Sequence, residues 1–219
     1  MGNLLSINSP LWNITNKILN FVWLSLLWLV FSLPIVTVGA STAALYTVML
    51  AYVKNQEGYL TSSFFQAFRQ NFKKATVIWV IELLLGGFLM MDLAVYFRSN
   101  RADGVVFLLM TLFFCAVVLF FFTFTWCYGM TAKFENTVRR TIANALVLSI
   151  CHWPSSLIMV MAEFAILAVG FTMFPPLLFT APALMAWINS RMFNRAFEKL
   201  LQECSSECRK NHMEESSLD

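Results

Sequence analysis

From Ile18 to Val53, and again from Val105 to Ala132, the chain carries no charged side chain. A helix needs roughly 20 apolar residues to cross a hydrocarbon core about 30 Å thick, and both runs exceed that length. They are continuously apolar rather than alternating, so the pattern of a membrane barrel strand is absent. Soluble domains carry about 25% charged residues; here the share is 12%, against 59% hydrophobic. The sequence therefore predicts an all-α, polytopic helical membrane bundle. The net charge of +3 is small, and no basic stretch alternates with aromatics, so nucleic acid is not an expected partner.

The first run is interrupted at Leu33-Pro34-Ile35-Val36-Thr37-Val38-Gly39. Pro34 lacks an amide hydrogen and clashes with the preceding turn, which marks a bend or an end. Pro34 and Gly39 are thus the candidate hinge. Two readings compete. As one kinked helix, the run would be about 54 Å long, far beyond the core it has to cross. As a short hairpin, its two arms of about 24 Å match the core with some local thinning. The hairpin gives six crossings in all; the single span gives five, with the amino terminus on the opposite side.

Further spans are expected at 75–96, 105–127, 143–171 and 177–189. Between the second and third spans, Phe64, Phe65, Phe68 and Phe72 fall on one side of a helix, with Arg69 and Lys73 on the other. This predicts an amphipathic helix lying at the interface. The basic loops (Lys54 to Lys74, then Lys133, Arg139 and Arg140, then Arg191, Arg195 and Lys199) point to the cytoplasmic side by the positive-inside rule. That places the carboxyl terminus in the cytoplasm. Residues 1–200 form one transmembrane domain in this reading, and 201–219 a polar cytoplasmic tail. A faint echo at an offset of 70 aligns Phe64, Arg69, Phe72 and Ala75 with Phe134, Arg139, Ile142 and Ala145.

Chemistry-bearing residues are sparse. Ionisable groups inside a membrane are costly and mark functional sites by default, which singles out Glu82 and Glu163. The bland alternative has Glu163 neutral or hydrogen-bonded to a Ser, Thr or backbone partner, and Glu82 near a polar inner vestibule. Asp92 reads as interfacial. Cys204, Cys208 and His212 recur every four residues on one helical face, a weak soft-metal pattern in a terminal tail; no metal site, cofactor or catalytic residue is expected. There is no phosphate loop, H-E-x-x-H or G-x-S-x-G motif. The chain is expected to have no working cavity of its own, and Gly86-Gly87 offers a close helix approach.

Leu33-Pro34-Ile35-Val36-Thr37-Val38-Gly39 followed by Ala43-Ala44-Leu45-Tyr46 resembles the YesL family of small bacterial membrane proteins. Phe64-x-x-x-Phe68-x-x-Asn71-Phe72-Lys73-x-Ala75, Asn144-Ala145-Leu146 and Asn189-Ser190-Arg191-x-Phe193 are also similar to that family. The resemblance implies a multi-pass protein of the cytoplasmic membrane of a Gram-positive bacterium, with a role beside carbohydrate ABC importers. It carries over no catalytic residues. The expected function is a non-enzymatic accessory subunit that contacts importer permeases and possibly their ATPase. Phe64, Phe65, Phe68, Arg69, Phe72, Lys73, Arg139 and Arg140 are the candidate contact residues. The rival expectation is an independent carrier or channel working through Glu82 and Glu163.

Overall fold

In a computed structural model the described residues, 10–54, 59–98, 104–172 and 177–215, are helical throughout apart from turns. Seven α-helices follow in order: α1 Pro10–Ser32, α2 Val38–Val53, α3 Leu60–Arg98, α4 Gly104–Lys133, α5 Val138–Cys151, α6 Trp153–Thr172 and α7 Leu177–Glu215. Five segments, in α1, α2, α3, α4 and α6, are long and apolar enough to cross a membrane. The chain is a multi-pass, all-α membrane bundle.

The interrupted run folds as a hairpin. Pro34 is extended (φ −75°, ψ 118°), and a 3-10 turn, Ile35–Thr37, leads into α2. The Thr37 hydroxyl lies 2.6 and 2.7 Å from the carbonyl oxygens of Phe31 and Pro34, with one proton to donate between them, which ties the tip together. The arms then pair antiparallel. Ser32 and Ser41 hydroxyls lie 2.6 Å apart, Trp28 Nε1 donates to Thr42 Oγ1 at 3.0 Å, and the Phe21 and Tyr52 rings sit 5.9 Å apart. One continuous kinked helix is excluded.

α2 is the axis of the bundle. Gly39, Ala40, Ser41, Ala43 and Ala44 give it a slim opening stretch, and ten of its 16 residues are buried. Small side chains let neighbouring backbones approach, the usual basis of helix packing in membranes. At Gly39 a Cβ would fall 2.5 Å from the Ala75 carbonyl oxygen and from Trp79 Cβ. Only glycine fits there. Trp79 Nε1 donates to the Ile35 carbonyl at 2.7 Å, and Trp23 Nε1 to Thr61 Oγ1 at 3.0 Å. The opening half of α3 therefore runs the length of the hairpin, parallel to α1 and antiparallel to α2.

Two expectations change here. The amphipathic segment is helical, with Phe64 and Ala67 inward and Arg69 and Lys73 outward. It is not a separate element, however. It is the start of one 39-residue helix, about 58 Å long, because no breaker separates Lys74 from Ala75. The span expected at 143–171 is likewise two helices. α5 stops at Cys151, with His152 non-helical (φ −110°, ψ 43°), and α6 opens on Trp153-Pro154. Proline is tolerated in a first turn, where its missing N–H has no partner to lose. The buried Ser156 hydroxyl stitches the joint: it accepts from Trp126 Nε1 at 2.8 Å and donates to the Ser149 carbonyl at 2.9 Å.

The stretch expected as a sixth span, 177–189, opens α7 and packs antiparallel to α6, with Leu178 against Gly170. α7 continues through residue 200 to Glu215. The Phe174-Pro175-Pro176 turn and the side chains of Cys204, Cys208 and His212 lie outside the described residues. At the other end of the bundle, Lys74 Nζ donates to the Phe134 carbonyl at 2.9 Å, and Lys133 Nζ sits 3.6 Å above the Phe197 ring.

Candidate functional site

Between α1, α2, α3, α4, α6 and α7 lies a half-open cavity of about 450 Å³. Both intramembrane carboxylates, Glu82 and Glu163, line it, with Trp28, Tyr46, Thr125 and Tyr128 among the other walls. The chain thus holds a cavity that the sequence did not foretell.

The carboxylates have built partners. Tyr128 OH, from α4, donates to Glu82 Oε2 at 2.6 Å. Asn189 Nδ2, from α7, donates to Glu163 Oε1 at 2.6 Å and to the Tyr46 hydroxyl at 2.7 Å. Tyr46 and Tyr128 then face each other, ring centroids 6.1 Å apart. A polar arc thus runs Glu82, Tyr128, Tyr46, Asn189, Glu163, with one gap between the two tyrosine rings. Among the described residues neither carboxylate is paired with a cation. The bland reading of Glu163 names one of its partners correctly: the carboxylate is hydrogen-bonded to the Thr125 side chain as well as to an amide from another helix.

Chemically, the arc supplies acceptors and hydroxyls, with aromatic faces beside them. Such a set can hold a solute rich in hydrogen-bond donors, or a proton shared with one carboxylate. A carboxylate in a mostly apolar cavity without a counter-cation gains from any donor that enters. Asn189 is 1% exposed and its Oδ1 lacks a partner in the chain, so the arc retains one unused acceptor.

The contact candidates lie elsewhere. Phe64 is fully buried against Phe31, with ring centroids 6.0 Å apart, so it is unavailable to a partner. Phe68 is half-buried, and Phe65, Arg69, Phe72 and Lys73 remain exposed on α3. Arg139 and Arg140 are exposed in the first turn of α5. Asp92 is exposed, as expected of an interfacial acid. Pro34 and Gly39 shape the hairpin tip and reach no part of the cavity. In the offset-70 echo, Ala75 and Ala145 are both fully buried, but α3 runs on unbroken where α5 ends at His152.

Tyr46, Tyr128, Asn189 and Thr125 escaped the sequence reading as site residues. Tyr46 and Asn189 stood inside motif blocks without a role, and Tyr128 follows an uncharged aromatic run that reads as lipid-facing.

Residues 21–93 match the family model described as "Protein of unknown function, DUF624". That stretch covers most of α1 and all of α2, and reaches past Glu82 on α3. The chain is 24% identical over 195 residues to YesL of Bacillus subtilis (strain 168), covering 87% of this chain and 90% of that protein. It is 26% identical over 207 residues to YteU of the same organism, covering 90% of this chain and 89% of the relative. These similarities bear out the YesL-like resemblance. No solved structure matches.

Proposed function

We propose that this YesL-like membrane protein binds a small, donor-rich solute inside the bundle and assists its passage, with Glu82 and Glu163 as the recognising groups. One observation carries the reading: both carboxylates open onto a single cavity and are held from opposite sides by Tyr128 and Asn189. The polar work is binding, and no bond-making chemistry is assigned. Trp28, Tyr46 and Tyr128 add aromatic faces, which together with carboxylates suit a hydroxyl-rich solute such as a sugar. The cell membrane of a Gram-positive bacterium, with a cytoplasmic carboxyl terminus, is the setting this reading adopts.

Purified protein in vesicles loaded with a pH indicator, or given a labelled disaccharide, tests this directly. Flux of either should exceed that of empty vesicles and fall at least about tenfold in Glu163→Gln, the size expected when a charge-assisted hydrogen bond of about 1.5–3 kcal/mol is lost. Vesicles with no flux above the empty control would remove the carrier form of the proposal.

A second reading has its own observation. Gly87 lies on the exposed face of α3 and a Cβ there would meet nothing within 4 Å. A glycine unused by its own chain fits a lateral helix partner. That favours the accessory role, in which the chain packs against the permease pair of a carbohydrate ABC importer, with Arg69, Lys73, Arg139 and Arg140 available to its cytoplasmic parts. Co-purification with permease subunits is its test.

A further inference from the structure

The motif Asn189-Ser190-Arg191-x-Phe193 contributes Asn189, which holds Glu163, and then continues along α7 to a second cavity. Where α2 ends, a cavity of about 300 Å³ is lined by Val53, Lys54, Arg191, Asn194, Arg195 and Glu198. Three cations and one carboxylate leave its rim with a surplus of positive charge. Among the described residues, none of these four forms an ion pair. Arg191 is braced instead, its guanidinium 4.0 Å over the Trp187 ring. The wall also holds an unsatisfied group: Asn194 is 6% exposed, and neither its Nδ2 nor its Oδ1 has a hydrogen-bond partner. Buried amides are almost always paired, and Asn194 is among the residues that line the cavity.

We infer that this cavity is a binding site for a phosphate group, held by Lys54, Arg191 and Arg195 with Asn194 Nδ2 as a neutral donor. Guanidinium groups match phosphate oxygens in forked geometry, and lysine adds a point charge. Glu198 restricts the orientation, because a phosphate must turn its oxygens toward the cations and away from that carboxylate. Basic pockets among membrane helices take up phospholipid headgroups in this way. A soluble phosphate ester offers the same oxygens, so the shared chemistry is the phosphate, whichever molecule bears it. The site is independent of the solute cavity: none of its residues lines the other.

Native mass spectrometry of the full chain, titrated with phosphatidylglycerol in detergent, reads the site. Wild type should retain one lipid per chain. Lys54→Gln and Arg195→Gln should each weaken retention roughly fivefold, at about 1 kcal/mol per basic group. Both side chains are exposed, so these variants keep the fold. Asn194→Leu should weaken retention by a similar factor with no change of charge, and Arg139→Gln, outside the cavity, should leave it unaltered. Equal losses in Arg139→Gln and Arg195→Gln, or full retention by Asn194→Leu as well as by Lys54→Gln, would reduce the effect to diffuse surface attraction and overturn the site. Inorganic phosphate as competitor then assigns the source: displacement of the lipid supports a soluble phosphate ligand, and persistence supports a headgroup.

Discussion

Gly39 shows how one missing side chain sets the architecture. Alanine is favoured over glycine in a helix by about 1 kcal/mol, so Gly→Ala within α2 would ordinarily stabilise. Here the added methyl would fall 2.5 Å from a backbone carbonyl oxygen of α3. Neither helix can yield without moving the hairpin, and overpacking of this kind costs about 1–3 kcal/mol. The steric term wins. Gly39→Ala should lower the midpoint of thermal unfolding in detergent, followed by size-exclusion fluorescence, whereas Gly87→Ala, which meets open space, should not lower it. Equal midpoints would mean α3 is not seated on α2 at this point.

At the scale of elements, the α1–α2 hairpin is the part that can be trapped covalently. The Ser32 and Ser41 hydroxyl oxygens are 2.6 Å apart, close to the 2.05 Å of a sulfur–sulfur bond. With the native cysteines replaced, Ser32→Cys paired with Ser41→Cys should close a disulfide under mild oxidation, seen as the loss of both free thiols. Either single variant should keep its thiol. A pair that stays reduced would return the first run to a single kinked span. This hairpin was legible in advance because Pro34 and the length of the charge-free run are local facts. So were Glu82 and Glu163, as charges out of place. Their partners were not, since Tyr128, Tyr46 and Asn189 come from three other helices and only the packing selects them. The break between α5 and α6 was visible as His152-Trp153-Pro154, but apolarity continues across it, and apolarity does not distinguish one long helix from two. The length of α3 was hidden for the converse reason: its polarity changes near Lys74 while its backbone does not.

For the whole molecule, the question is whether solute binding and partner binding are separable. Exposed apolar residues along α3, such as Leu84, Phe88, Met90 and Met91, are what lipid contact requires, so they do not argue for a protein neighbour. Gly87 is different, because lipid gives no reason to accept the helix-weakening cost of glycine. A partner helix approaching closely does. Glu82 shares α3 with Gly87, but Glu163 and its partner Asn189 sit on α6 and α7, and neither touches Gly87. Gly87→Leu should therefore leave the unfolding midpoint and any Glu163-dependent flux unchanged. It should reduce co-elution with permease subunits in mild detergent by about tenfold, equivalent to about 1.4 kcal/mol of contact energy. Glu163→Gln should do the reverse, sparing co-elution and removing flux. Undiminished co-elution of Gly87→Leu would assign this face to lipid alone. Parallel loss of both properties in either variant would mean that the cavity is completed only when the partner helix is in place, which makes the two readings one mechanism.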